Sequence, residues 1–596
     1  MKKQSIPKRV QDLLDRMHSS RPNTDDSDIS RRGFIGLGAA AGIAATVGGL
    51  AVPPAIAQQA GQSLDVEAKY HAPQDLNEKT IAELQREMNS GNLTSAELVA
   101  YYVERIARLD RHGPGVNSVL ELNPDAAAIA LALDRERRVK GARGPLHGIP
   151  ILLKANIDTG DRMQTTAGSF ALAGPSAPQD ATVVTRLRAA GAVVLGKTNL
   201  SEWANFRSFF SSSGWSGTGG QCNNPYALDR NPSGSSAGSA ASTSANFCVA
   251  ALGTETDGSI VDPGSTNGVV GIKPTIGLTS RAGVVPISHN QDTVGPFGRT
   301  VADAATVLGA LVGLDLRDPR TQDSSGKFFA DYTQFLDPDG LKGARIGVPR
   351  QMFGFSRQAD AITDAALQIM QDAGAVLVDP ADFPDLADIQ SFVDEFTVLL
   401  FDFKQDIAAY LATRVRMSVK TLADLIAFNN ANADKEMPFF GQELFLAAEE
   451  TDGFSDPAYQ QALANKHLLG RQNGLDSVLD QFNLDALVAP STSPSAMTDL
   501  VNADHFLGDT SSPAADAEYP LVTVPAGSTN GLPVGINFMG RAFSEPTLIK
   551  LAYSFEQASK QRRAPKFFDN LPPESDGFAG HNVGLTRGMR SLHRPR

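Results

Sequence analysis

The chain has 596 residues, 42% hydrophobic and 20% charged, an ordinary globular composition that excludes a disordered protein and leaves length for a large core. A formal charge of −13 argues against nucleic acid and anionic membranes as partners. With only two cysteines, nine histidines and neither a His-Glu-x-x-His nor a Cys-x-x-Cys pattern, metal catalysis has no ligand spacing to rest on, and no metal or cofactor is expected.

Residues 1–57 read as a separate element. Paired Arg31 and Arg32 precede an Ala/Gly-rich apolar run that ends at Ala55-Ile56-Ala57, the order of a twin-arginine export signal with a cleavage site near Ala57. Gly36, Gly38, Gly42, Gly48 and Gly49 dilute the run and Pro53-Pro54 stops it, so it makes a poor membrane anchor. The expected destination is the periplasm or the medium, with no stable membrane association after cleavage. The segment carries eight Lys/Arg and five Asp, a net +3, so its loss takes the chain from −13 to −16. Residues 58–75 read as a linker.

From Leu76 helix and strand signals alternate. Thr94-Ser95-Ala96-Glu97 is a capping-box pattern ahead of Leu98, Val99, Tyr102, Ile106 and Leu109 at helical spacing. A short apolar run from Gly148 to Leu153, bounded by breakers, predicts a buried strand that delivers Lys154 at its end. Residues 182–190 and 301–311 predict helices, and 192–195, 345–348, 486–489 and 521–524 predict strands. The pattern is that of an α/β protein: a single large α/β/α sandwich around a mixed twisted sheet, spanning 76–570. Between about 320 and 481 the chain turns mostly helical, clearest at 392–411 and 460–479, and is expected to cover one side of the sheet as a variable cap. Residues 571–596, rich in Gly, Arg and Ser, read as a mobile tail.

Two motifs are decoys. Gly191 to Thr198 satisfies the P-loop pattern, but its variable positions are themselves an apolar strand that follows a helix, the reverse of a phosphate cradle. Gly234-Ser235-Ser236-Ala237-Gly238 matches the nucleophile elbow with Ser236 as nucleophile, yet the polar, proline-broken stretch from Asp229 to Ser233 cannot be the strand an elbow needs. His147 and His289 lie near the interesting segments and read as structural. Cys222 and Cys248 bracket a Ser-rich stretch; a bridge closing a loop of about 25 residues is conceivable outside the cytoplasm, but two free thiols are expected.

What remains is Thr254-Glu255-Thr256-Asp257-Gly258-Ser259, where a serine follows an Asp-Gly turn whose successive amides suit an anion such as a tetrahedral acyl-transfer intermediate. Lys154 complements it, because a lysine ending a buried strand is desolvated and becomes a base. Half-deprotonation at pH 7 requires its pKa to fall by about 3.4 from roughly 10.4, a cost of about 4.6 kcal/mol, so burial is a requirement.

These stretches together, with Gly196 to Glu202, Gly268 to Thr275, Asp292 to Pro296, Asp485 to Leu487 and Gly531 to Gly535, resemble the amidase signature family over roughly residues 76–560. The resemblance implies a Ser-cis-Ser-Lys set with Ser259 as nucleophile, Ser235 as the bridging serine and Lys154 as base, and an oxyanion hole from the amides of Thr256, Asp257, Gly258 and Ser259. The 24-residue separation of Ser235 and Ser259 agrees with the family and selects Ser235 over Ser236. Ser233, Ala237, Asp257, Val261 and Ala155 depart from the commonest pattern, and Asp262 follows close on the nucleophile. Glu255 to Val261, with Ser201 to Arg207 and Gly214 to Ser216, looks like the peptide amidase branch, whose substrates are C-terminal peptide carboxamides; Ala155 and Asp262 stay unexplained by it. The expected activity is hydrolysis of a small or peptide carboxamide to carboxylate and ammonia. The rival readings are an amidase for aryl or aliphatic amides, the glutaminase step of tRNA-dependent amidation, a serine-triad esterase, and a silent binding protein that keeps the fold.

Overall fold

The run Pro150–Lys154 is apolar on both sides of its backbone up to the lysine, and such a strand is stable only where helices cover both faces of the sheet. In a computed structural model, which describes residues 76–571, it is an interior strand of one sheet, third from an edge. The expected export signal, linker and tail, residues 1–57, 58–75 and 572–596, lie outside the described residues.

The strands are β1 (Val119–Leu122), β2 (Pro150–Lys154), β3 (Val193–Thr198), the small pair β4 (Trp215–Ser216) and β5 (Gly220–Gln221), then β6 (Ala250–Glu255), β7 (Val270–Lys273), β8 (Thr293–Gly298), β9 (Arg345–Gly347), β10 (Val376–Val378), β11 (Ala486–Pro490), β12 (Leu521–Thr529) and β13 (Leu532–Met539). Eleven of them form one mixed sheet in the order β1-β3-β2-β6-β8-β7-β12-β13-β11-β9-β10. β2 runs parallel to both β3 and β6, with Leu153 opposite Leu252, so Lys154 emerges beside Thr254.

Both faces of the sheet are buried. Along β11, Ala486 and Val488 join a core under the Val301–Leu311, Arg357–Asp372 and Glu545–Ser559 helices, while Leu487 and Ala489 join another with Leu475, Val478 and Leu479. That is the period-2 alternation of a strand sandwiched between helical layers, and the expected α/β architecture is what forms. The capping box forms as read: Thr94 Oγ1 accepts from the Glu97 amide at 3.1 Å, and the Glu97 carboxylate accepts from the Thr94 amide at 2.8 Å.

One predicted helix differs. Instead of a single span over 460–479, Pro457–His467 gives way to a wide-turn segment, Leu468–Leu475, before Asp476–Gln481 resumes. Two glycines explain it. A side chain at Gly470 would meet the Ala517 amide at 2.6 Å, and Gly474 leaves helical geometry altogether at φ −109, ψ −118. The 392–411 helix runs from Val393 to Thr413, with Phe392 in left-handed conformation ahead of it.

The helical region is tied to the sheet by buried charge. Arg207 and Glu202 pair at 2.8 Å with both side chains fully buried, and Arg207 also donates to the Phe440 and Gly441 carbonyls while its guanidinium lies 4.3 Å from the Phe440 ring. Glu436 accepts from Ser169 Oγ and the Phe170 amide, and Arg414 and Tyr410 reach Asp158. Among the described residues, no helix is long and apolar enough to cross a membrane.

The Ala237–Ser244 helix approaches its neighbours so closely that a side chain at Gly238 would fall 2.4 Å from the Ser118 carbonyl oxygen and 2.5 Å from that of Asn199, both backbone atoms. Gly238→Ala is therefore expected to cost about 1–3 kcal/mol, read as a lower denaturant midpoint at unchanged slope.

Candidate active site

The end of β2, the turn after β6 and the start of the Ala237–Ser244 helix converge. Lys154 Nζ lies 2.8 Å from Ser235 Oγ, and Ser235 Oγ lies 3.0 Å from Ser259 Oγ. The Gly234–Ser235 peptide bond is cis. Lys154 and Ser235 are fully buried, and Ser259 keeps 8% of its surface exposed.

Lys154 has no carboxylate in contact. Its other neighbours are Thr254 Oγ1 at 2.9 Å and the Thr254 carbonyl at 3.3 Å. Burial pushes its pKa down to about 7, against the weaker pull of Asp292 and Glu255, so the desolvation demanded above is met. In the neutral amine two N–H groups serve the two Thr254 oxygens, and the remaining lone pair faces Ser235. Asn156 Nδ2 also donates to Thr254 Oγ1, at 3.0 Å, and fixes that hydroxyl.

The turn itself is built from backbone. Gly258 has φ +74, a conformation open to glycine, and a side chain there would meet Asp262 Oδ2 at 2.7 Å. Among the described residues, the amides of Thr256, Asp257, Gly258 and Ser259 donate no hydrogen bond to the protein. Glu255 accepts from the Ile260 and Val261 amides at 2.6 and 3.0 Å and so holds the far side of the turn; burial pushes its carboxyl up to about 7. Asp257, the departure from the usual glycine, accepts from Ser511 Oγ and from Ser512 Oγ at 2.9 Å, which uses its side chain as an anchor. Asp292 takes Thr256 Oγ1 at 2.7 Å together with the Ile287 and Ser288 amides.

Asp262 is buried with no hydrogen-bond partner for Oδ1, and burial with Asp509, Glu255 and Asp257 nearby drives its carboxyl well above the usual range. Its surroundings therefore disfavour a negative charge on Asp262 beside Ser259. Ala155, the other departure, is buried and follows Lys154 directly in the chain.

The decoys resolve physically. Lys197 is fully buried and donates to the Ile157 carbonyl and Thr165 Oγ1, with β3 itself occupying the P-loop's variable positions. Ser236 Oγ donates to the Thr254 carbonyl at 3.0 Å and accepts from the Thr254 amide at 3.2 Å, a clamp on β6. His147 is buried with Nε2 2.9 Å from the Leu133 carbonyl oxygen. His289, Asp402 and Asp406 bring one potential metal ligand each within 4.8 Å of one another, but Asp402 already accepts from Ser288, Asn290 and Tyr459. Cys222 and Cys248 are free and buried. The sequence gives no separate signal for the roles of Thr254, Glu255, Asn156 and Asp292, although the Thr254–Ser259 and Asp292–Pro296 stretches stand out in it.

The family model "Amidase" matches residues 97–549. A probable amidase of Arabidopsis thaliana is 44% identical over 500 residues, 83% of this chain and 92% of its own. The crystal structure of peptide amidase from Stenotrophomonas maltophilia superposes with a TM-score of 0.79 at 49% identity, covering 83% of this chain and 99% of that one. An amidase family protein from Bacillus anthracis follows at 0.74 and 37%, covering 82% and 93%. The fold and these matches define a hydrolase of amide C–N bonds. The chain belongs to the amidase family, in the amidase signature class.

Holding Lys154 neutral lowers stability, and the sign follows from proton counts. Its pKa in the folded chain, about 7, lies below the unfolded value of roughly 10.4, so between those pH values the unfolded chain binds the extra proton and stability rises with pH. Lys154→Met removes that cost. It is expected to be more stable than the parent below pH 7, by an amount on the order of 4 kcal/mol, with the gain fading toward pH 10 in urea titrations.

Proposed function

We propose that Ser259 is the nucleophile, Ser235 the relay and Lys154 the base of an amide hydrolysis that passes through an acyl-enzyme. The observation that carries this reading is the continuous contact from Lys154 Nζ through Ser235 Oγ to Ser259 Oγ, ending on a lysine with only neutral partners. Neutral Lys154 accepts the Ser235 proton while Ser235 accepts that of Ser259, whose oxygen attacks the carbonyl carbon. The carbonyl oxygen, now negative, is taken by the free amides of the 256–259 turn. The proton returns through Ser235 to the departing nitrogen, ammonia leaves, and water repeats the sequence on the ester to release the carboxylate.

The substrate class we propose is the C-terminal carboxamide of peptides. Support comes from the 49% identity to a peptide amidase and from the Glu202–Arg207 pair, which occupies the stretch where the sequence follows that branch. We further propose that the chain is exported by the twin-arginine route, on the strength of Arg31-Arg32 and the run that follows.

Ammonia release from an amidated dipeptide is the test. Ser259→Ala, Ser235→Ala and Lys154→Ala are each expected to lose about 10³-fold or more in kcat, and Ser236→Ala to retain a measurable rate. The parent's kcat/KM is expected to rise with pH through about 7, as Lys154 gives up its proton. Loss confined to Ser236→Ala overturns the assignment, and preference for simple aliphatic amides over every peptide amide overturns the substrate class. Replacing Arg31 and Arg32 by lysine and fractionating the host tests export; an unchanged distribution counts against it.

A further inference from the structure

One carbonyl of the nucleophile turn is held from outside the turn by a side chain. The Gly258 and Ser259 carbonyls accept from the Asp262 and Ser236 backbone amides at 2.9 and 3.2 Å, whereas the Thr256 carbonyl, among the described residues, accepts only from Gln291 Nε2, at 3.0 Å. A peptide unit is planar, and its C=O points opposite to the N–H that follows. Holding the Thr256 carbonyl therefore sets the direction of the Asp257 N–H, one of the amides that donate to nothing in the protein. A donor on that carbonyl also polarises the N–H beyond it.

Gln291 is held in turn by the cap. Its Nε2 donates a second hydrogen bond to Glu395 Oε1 on the Val393–Thr413 helix, so both protons of one nitrogen are placed. Gln291 is fully buried and Glu395 keeps 2% of its surface exposed, which leaves water no share in either bond.

The same helix grips the residues before Gln291. Asp402 accepts from Ser288 Oγ at 2.5 Å and Asn290 Nδ2 at 2.9 Å, and Asp406 from the His289 amide at 2.6 Å. Glu395, Asp402 and Asp406 follow at intervals of seven and four, the spacing of one helix face. At the far end Asp292 takes the Thr256 hydroxyl, so residues 288–292 form a strut between the cap helix and the first residue of the turn. Burial, with Asp257 and Asp516 nearby, lifts the Glu395 carboxyl well above its usual range, but the contact needs no charge. An ionised carboxyl, a protonated one and a carboxamide all offer Gln291 an acceptor.

We propose that Gln291 and Glu395 are positioning residues of the hydrolysis: Gln291 aims the Asp257 N–H at the substrate oxygen, and Glu395 fixes Gln291 for that task. The placement rests on Ser259 being the nucleophile and on the 256–259 turn receiving the oxygen. An amide aimed at that oxygen counts most when the oxygen carries charge, so misalignment slows the chemical step more than it weakens substrate binding.

Kinetics on Nα-acetyl-leucinamide, with ammonia release as the readout, test this. Gln291→Met and Glu395→Met are each expected to lose about tenfold or more in kcat with KM within about twofold, and Glu395→Gln, which keeps the acceptor, to recover most of the rate. The double variant Gln291→Met/Glu395→Met is expected to be no slower than Gln291→Met alone, since Glu395 acts through Gln291. Inhibition by the aldehyde Nα-acetyl-leucinal, which forms a bond from Ser259 Oγ to its carbonyl carbon as the carbonyl π pair moves to oxygen and the serine proton passes through Ser235 to Lys154, is expected to weaken in step with kcat. Losses carried by KM alone, equal losses in Glu395→Gln and Glu395→Met, or multiplying losses in the double variant overturn the positioning role. Should Gln291→Met not fold, the contrast between the two Glu395 variants decides. Parent-like rates in every Gln291 and Glu395 variant while Ser259→Ala is inactive overturn this inference alone; a fully active Ser259→Ala overturns the nucleophile assignment and this inference with it.

Discussion

The structure depends on keeping one amine dry. Lys154 sits at the end of a strand flanked on both sides by parallel neighbours, and every atom within hydrogen-bond reach of its Nζ is neutral. A carboxylate in contact would return its proton affinity toward the ordinary lysine range; Asp292 and Glu255 act only from a distance. This explains the composition around it. Ser235 and Thr254 contact the amine, and Ser236 and Asn156 hold Thr254, none of them adding a charge.

The acids near the site are arranged accordingly. Glu255 through Oε2, and Asp257 and Asp292 through both oxygens, accept from backbone amides or hydroxyls of the turn and its supports, so they act as clamps. Desolvation raises the carboxyl of each. Asp262 completes the pattern: buried, with its carboxyl pushed well above the usual range, it fills the space over Gly258. Gln291 links the Val393–Thr413 helix to the turn, donating both to Glu395 and to the Thr256 carbonyl.

Much of this was legible in the residues. An apolar run between breakers announced β2 and the lysine at its end, and the polar, proline-broken approach to Ser236 argued against an elbow that the structure lacks. Other parts were illegible for definite reasons. Thr293–Gly298 is a fully buried strand containing two glycines and a proline, so neither alternation nor propensity marks it. Thr254 meets Lys154 and Asn156 only through pairing of β2 with β6, about 100 residues apart, and Glu395 reaches the turn, through Gln291, across more than 100 residues. The close approach at Gly470 depends on the backbone of 516–517, which no local window contains.

The strand order also bears on how the molecule is assembled. β2 and β3 are joined through a nearby helix and pair early by proximity, whereas β6 begins about 50 residues after β3 and adds to the other side of β2 before β8 joins it. Thr254 and the 256–259 turn arrive only with that addition. A nascent or partly refolded chain therefore carries its serines and its lysine far apart, and hydrolytic competence trails the bulk of the secondary structure in time.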